Sequence, residues 1–172
     1  LRAHTGKDDD ELAAGIYRDF IGRLERAYDT LEILPQNNAA RLFSALRERN
    51  ILTVLNTGYA RHTAEQILHK LGWNQGVEFD GLVTATEVDK NRPDPDMIRY
   101  AMQQFGIANS ENVMKVGDSA IDIEEGRNAG CLLSIGITTG AHTYEQLKAA
   151  GPDHIIHDLM ELLPIIDSVN SD

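Results

Sequence analysis

Two aspartates set four residues apart, in Gly117-Asp118-Ser119-Ala120-Ile121-Asp122, are the side chains of this sequence best suited to chemistry. They follow an apolar run at 113–116 and stand where a helix should begin. That puts two carboxylates at the C-terminal end of a buried strand, the edge at which open α/β sheets hold their ligands. Neighbouring like charges repel, and a hard cation such as Mg2+ relieves the repulsion. The competing reading is structural, with Asp118 as a helix N-cap and Asp122 as a solvated acid in the first turn. Taken alone, this motif leaves both open.

Two further strand ends carry polar groups of a useful kind. Asn56-Thr57-Gly58-Tyr59 follows a β-branched apolar run at 51–55. A hydroxyl and free backbone N–H groups just past a strand can hold a phosphate oxygen, although Asn, Thr and Gly also make ordinary turns. Asn91-Arg92-Pro93-Asp94-Pro95-Asp96 precedes a helix. The prolines stiffen the approach, Asp94 or Asp96 can cap the helix, and a rigidly held guanidinium suits a phosphoryl dianion. Lys90 is an alternative cation beside it, and a Pro-rich helix entry with a solvated arginine is the bland reading.

The elements that must position these groups alternate. Residues 9–30 read as one amphipathic helix, with Leu12, Ile16, Tyr17, Phe20, Ile21, Leu24 and Tyr28 on one stripe and acids 8–11 at its start. Ala39, Leu42, Phe43 and Leu46 mark a helix ending near Asn50. Strands are expected at 51–55, 82–84, 113–116, 132–137 and 154–156. Helices are expected at 63–71, from Asp94 through Phe105, and at 120–129, 143–149 and 159–166. Nearly continuous apolar strands between helices predict an α/β fold, a Rossmann-like three-layer arrangement whose parallel sheet is covered on both faces.

Composition narrows the class. The chain has 172 residues, 42% of them hydrophobic, so a sizeable core is available. A net charge of −11 argues against nucleic acid or an anionic membrane as a main partner, but not against a small phosphorylated substrate in a local pocket. The single cysteine, Cys131, rules out an internal disulfide and fits a reducing, cytoplasmic setting. No apolar run approaches the roughly 18 residues of a membrane span. The six histidines show no metal-ligand spacing. His142 lies in a loop near the acidic motif, His154 and His157 read as structural or exposed, and Cys131, Trp73, Met97 and Met102 read as packing residues.

A hydroxyl turn, then a cation before proline, then Gly-Asp-Ser-x-x-x-Asp, each at a strand end and in this order, resembles the second, third and fourth motifs of the haloacid dehalogenase-type phosphohydrolases. The resemblance covers the stretch from Leu34 onward. It is closest to the phosphonatase-like branch, through Asn-Thr-Gly-Tyr at 56–59, Arg92 before Pro93, and Thr139-Gly140-Ala141-His142-Thr143. It implies that Thr57 binds the transferring phosphoryl group and that Arg92 neutralises its charge. It implies further that Asp118 ligates Mg2+ directly or through water, that Asp122 orients the metal's water shell, and that Asn56, Gly58 and Ser119 support the site. The implied activity is Mg2+-dependent hydrolysis of a small phosphorylated metabolite by a monomer or homodimer.

The sequence departs from the family at one place. The superfamily's first motif, Asp-x-Asp after an apolar strand, supplies the nucleophile, and no such motif stands here; Asp8-Asp9-Asp10 follows no strand. Residues 1–33 read as the end of a helical cap, and 34–172 as the core domain without its first strand. In the family that strand lies between those carrying the second and fourth motifs, so two buried edges should stand unpaired. The expectation is that the natural protein is longer, and that these residues alone do not turn over a phosphate ester. A phosphonoacetaldehyde hydrolase-like enzyme, cleaving a C–P bond through a cap lysine, is the nearest alternative. A sugar phosphomutase or a dehalogenase fits Arg92 and the acidic pair less well, and a non-catalytic binding module on the same scaffold is the alternative from another class.

Overall fold

The structure is a computed structural model that describes residues 32–170 and, before them, Leu12, Ala13, Gly15, Ile16, Asp19, Gly22 and Arg23. Two compact units divide between Leu34 and Pro35. In the first, the described residues at 12, 13, 15, 16, 19, 22 and 23 are helical, those at 32–34 are not, and Leu12 and Ile16 are exposed. The other residues of the expected apolar stripe, and the acidic run before it, lie outside the described residues.

The second unit alternates helix and strand. In order it contains α1 (Ala39–Glu48), β1 (Val54–Thr57), α2 (Arg61–Leu71), β2 (Gly81–Thr84), α3 (Asp96–Gln104), β3 (Met114–Gly117), α4 (Ala120–Ala129), β4 (Leu133–Ile137), α5 (Tyr144–Ala150), β5 (His154–Ile156) and α6 (Leu162–Val169), with 3-10 turns at Ala85–Glu87, Ser110–Asn112 and Leu159–Glu161. All strand pairs are parallel, as crossover helices require. β1 pairs with β2, and β3 pairs with β4, which pairs with β5. Between β1 and β3 there is no ladder among the described residues.

β3 and β4 show why the sheet needs helices on both faces. Ile135 and Ile137 join Leu42 and Leu46 of α1, Ile156 of β5, and Leu162 and Ile166 of α6 in one apolar cluster, with Met114 and Val116 packed against it. The alternate residues Lys115, Ser134 and Gly136 face α4 and α5, where Leu147 is fully buried. Strand residues alternate between faces, so each face meets its own helices.

Several boundaries move from the sequence expectation. β1 begins at Val54 and carries Asn56 and Thr57 within it rather than after it. α3 starts at Asp96 with Pro95 at the N-cap; Asp94 lies outside the helix, and neither acid caps it through its side chain. The last helix is split. Asp158 and Glu161 form a capping box around the 3-10 turn, and α6 restarts with Pro164 in its first turn, where no donor is needed. Met97 is fully buried and Met102 only partly so. Trp73 packs edge-on against Phe43, with ring centroids 5.2 Å apart.

Candidate functional site

The C-terminal ends of β1 and β3 and the loop before α3 supply the polar groups. α4 begins immediately after β3, with Ser119 as its N-cap residue in extended conformation. The cap makes no side-chain bond to the helix backbone, because the Ser119 hydroxyl instead donates to Asp122 Oδ2 at 2.5 Å. Asp122 is 3% exposed, which overturns its reading as a solvated first-turn acid. It can sit over the strand end because residue 117 is glycine: a Cβ there would stand 2.2 Å from Asp122 Cβ, inside any allowed contact.

Two cations meet on Asp122. Arg92 Nη1 donates to Oδ1 at 2.5 Å, and Lys115 Nζ lies 3.2 Å from the same oxygen. Burial works against the charge of this carboxylate. Lys115, the Ser119 hydroxyl and Arg92 outweigh it and hold the group below its ordinary 3.8. Arg92 therefore is not the solvated arginine of a helix entry; its side chain is 21% exposed and aimed at the α4 acid. The Arg92–Pro93 peptide is cis. Lys90 turns the other way, 69% exposed and 3.9 Å from Asp94.

The second motif approaches the same guanidinium. A Cβ built on Gly58 would lie 3.0 Å from Arg92 Nη2 and 3.5 Å from Asn91 Nδ2, so a side chain there would crowd the arginine. Thr57 Oγ1 accepts from the Tyr59 N–H at 3.2 Å, which shapes the turn around Gly58. Asn56 points into the interior, where Nδ2 donates to Glu125 Oε1 at 2.9 Å and Oδ1 is buried without a partner among the described residues.

Asp118 is held from the loop after β4. Its Oδ2 accepts from the Ala141 N–H at 2.8 Å, its carbonyl accepts from the His142 N–H at 3.0 Å, and His142 Nδ1 accepts from the Ala120 N–H at 3.0 Å. Gly140 makes this closure possible, since a Cβ there would fall 1.8 Å from Asp118 Oδ2. The His142 ring is thus committed to the first turn of α4 through Nδ1, which places its neutral-form proton on Nε2.

Arg92, Asp122, Ser119 and Gly58 are therefore neighbours, with Asp118 four residues before Asp122 at the same strand end. Asn56 reaches the group through Glu125, while Thr57 is engaged within its own turn. Lys115 and Glu125 went unnoticed in the sequence, where 113–116 reads as an apolar run. The available signal was a lysine inside a strand covered on both faces, followed by acids at 122 and 125 on one helix face.

No group of three or more His, Cys, Asp or Glu side chains able to hold a metal occurs among the described residues. The donor set nonetheless fits magnesium, which keeps several waters and takes only one or two carboxylates. Asp118 retains a carboxylate oxygen beyond the one that Ala141 uses, whereas both oxygens of Asp122 are engaged. Cys131 does not compete as a nucleophile. It is half-buried, and burial pushes its thiol up to about 11.

Residues 2–130 match the model of the haloacid dehalogenase-like hydrolase family. The chain is 32% identical over 144 residues to a phosphonoacetaldehyde hydrolase of Latilactobacillus sakei subsp. sakei, an alignment covering 70% of this chain and 54% of that protein. It is 29% identical over 166 residues to the provisionally named pyrophosphatase PpaX of Caldanaerobacter subterraneus subsp. tengcongensis, covering 96% of this chain and 72% of that one. The fold is similar to that of a phosphonoacetaldehyde hydrolase-like protein from Oleispira antarctica, with a TM-score of 0.79 at 22% identity, over 97% of this chain and 67% of the other. The chain thus spans about half the length of the first of these relatives. On its sequence match and its fold, the chain belongs to the haloacid dehalogenase-like hydrolases.

Proposed function

We propose that the whole protein is a Mg2+-dependent phosphohydrolase acting on a small phosphorylated metabolite, with a nucleophilic aspartate supplied from outside these residues. The observation that carries this reading is the contact of Arg92 with Asp122, with Gly58 against the same guanidinium. It gathers a phosphate-type turn, a cation and the acidic helix start in one place. Arg92 is positioned to neutralise a phosphoryl oxygen, and the backbone and hydroxyl of Thr57 to orient it. Asp118 would hold the metal through a carboxylate oxygen and Asp122 would order its water, with Ser119 fixing the Asp122 rotamer. When bound, Mg2+ supplies charge neutralisation of the transferring group. Neither acid is left for nucleophilic attack, one being engaged by two cations and the other assigned to the metal.

The test is release of inorganic phosphate from a panel of phosphate monoesters by the whole protein, with and without Mg2+. Turnover that requires Mg2+ and falls on Asp118→Asn supports the reading. Turnover indifferent to both would sink it.

A second reading is favoured by the names of the curated relatives: cleavage of a C–P bond through an imine-forming lysine outside the described residues. Borohydride trapping of phosphonoacetaldehyde on the whole protein separates the two, since only the imine route leaves a covalent adduct.

A further inference from the structure

Lys115 occupies an unusual place. It lies mid-strand in β3, and its side chain is 8% exposed. A buried ammonium survives only with close anions. It has two, Asp122 Oδ1 at 3.2 Å and Glu125 Oε2 at 2.6 Å, both from the inner face of α4. α4 comes this close because residue 126 is glycine; a Cβ there would stand 2.7 Å from Lys115 Cβ and 2.3 Å from Ser134 Oγ. Glu125 is fully buried, and its other oxygen accepts from Asn56 Nδ2. A continuous polar chain therefore runs from Asn56 on β1 through Glu125, Lys115 and Asp122 to Arg92, across the place where β1 and β3 share no ladder among the described residues.

The charges of this chain balance, with two cations against two carboxylates. Asp122 is served by both cations, but Arg92 uses only Nη1 on it and has its Nη2 toward Gly58. Were Arg92 the sole counter-ion of Asp122, turning it toward a phosphoryl group would strand a buried carboxylate, which is costly. With Lys115 in place that penalty falls.

Resting on the phosphate-binding reading above, we infer that Lys115 is a positioning residue: it is the resident counter-ion of Asp122, it lets Arg92 leave that carboxylate for the substrate's phosphoryl group, and Glu125 and Asn56 anchor it. Lys115 touches no substrate itself. Its effect on anion binding passes through Arg92.

The probe is inorganic phosphate, titrated calorimetrically into the protein and its variants, with circular dichroism to check folding. Lys115→Met weakens phosphate binding by about tenfold, a typical coupling between linked sites, and Lys115→Arg restores it. The decisive measurement is the cycle with Arg92. In an Arg92→Met background the same Lys115→Met change has less than about a twofold effect, because no arginine remains to be released. A loss of equal size in both backgrounds means that Lys115 acts only as bulk positive charge, and overturns the inference. Glu125→Gln serves should Lys115→Met fail to fold. It leaves Asp122 as the only carboxylate on Lys115 and is expected to tighten phosphate binding, and weakening there counts against the proposal. Should the wild-type protein bind no phosphate, the hydrolase reading fails separately. Exchange of the Arg92 Nη1 protons, followed by NMR, then decides the remainder: Lys115→Met slows it if Arg92 becomes the only cation on Asp122, and unchanged exchange overturns the inference.

Discussion

Two arginines of this protein each reach a carboxylate across a strand end, and they differ in how completely they are used. Arg61 grips Glu87 with two nitrogens, Nε to Oε1 at 3.0 Å and Nη2 to Oε2 at 2.9 Å, and Nη2 also donates to the Leu82 carbonyl at 3.0 Å. Glu87 in turn accepts from the Thr84 N–H and hydroxyl. Every strong group there has a partner, so the contact ties α2 to β2 and the following turn and has little to offer a ligand. Arg92 touches Asp122 through one nitrogen, beside a second cation and against a glycine turn. A saturated pair is a staple. On the proposed function, an under-used arginine on an over-supplied carboxylate suits a site that waits for a phosphoryl group.

That contrast can be broken by experiment. The largest effect is expected at Arg92. Arg92→Met should lower kcat for phosphate-ester hydrolysis by about 10²–10³-fold, the usual loss on removing one preorganised charge donor, with little change in denaturation midpoint. A stability loss without an activity loss would reverse the assignment of the two arginines. Arg61→Met should do the opposite. It costs about 2 kcal/mol in urea unfolding, kept modest because the side chain is 35% exposed, and leaves KM for phosphate esters unchanged.

A smaller effect concerns pH. Burial disfavours the Glu87 charge, but Arg61 and Thr84 outweigh it, and the carboxyl sits below its ordinary 4.5. A group depressed in the folded state stabilises above its unfolded value, and that stability fades as pH falls through the folded one. Glu87→Gln should therefore flatten the acid limb of the stability curve below about pH 4.5 and leave its slope at neutral pH untouched. A variant whose acid limb matches the wild type would show that the pair contributes nothing to acid stability. The smallest effect is expected at Lys90, an exposed neighbour of Asp94. Lys90→Ala should change stability by less than about 0.5 kcal/mol and phosphate affinity not at all. A clear loss of affinity would mean that the cation of the third motif had been misassigned between Lys90 and Arg92.

The elements were legible where local signals agree with tertiary need. The bounds of α4 are as expected, because a strand end, a Ser N-cap residue and Gly130 in the left-handed conformation at its C-cap bracket ten residues. β5 is also as expected. β1 slid toward the Asn-Thr turn, since its residues are chosen by pairing Val54 through Thr57 with Gly81 through Thr84 and not by apolarity. Asp122 could be read from the sequence as solvated or buried, and only the approach that Gly117 permits decides for burial. Lys115 was hidden by its apolar neighbours. A charge in a strand looks like an edge until both faces are known to be covered.

Residue order alone settled which chemistry-bearing groups exist and that Asp118 follows a strand end, because apolar runs, glycines and prolines punctuate the chain through local sterics and burial; Arg92, expected at a strand end, lies instead in the loop before α3, eight residues past β2. Residue order could not say which charges share an oxygen. Arg92 is 30 residues from Asp122, and Asn56 is 69 from Glu125. Those meetings follow from the packing of α4 on β3 and from the crossovers that return each strand to the same end of the sheet, and sequence spacing does not encode such distances.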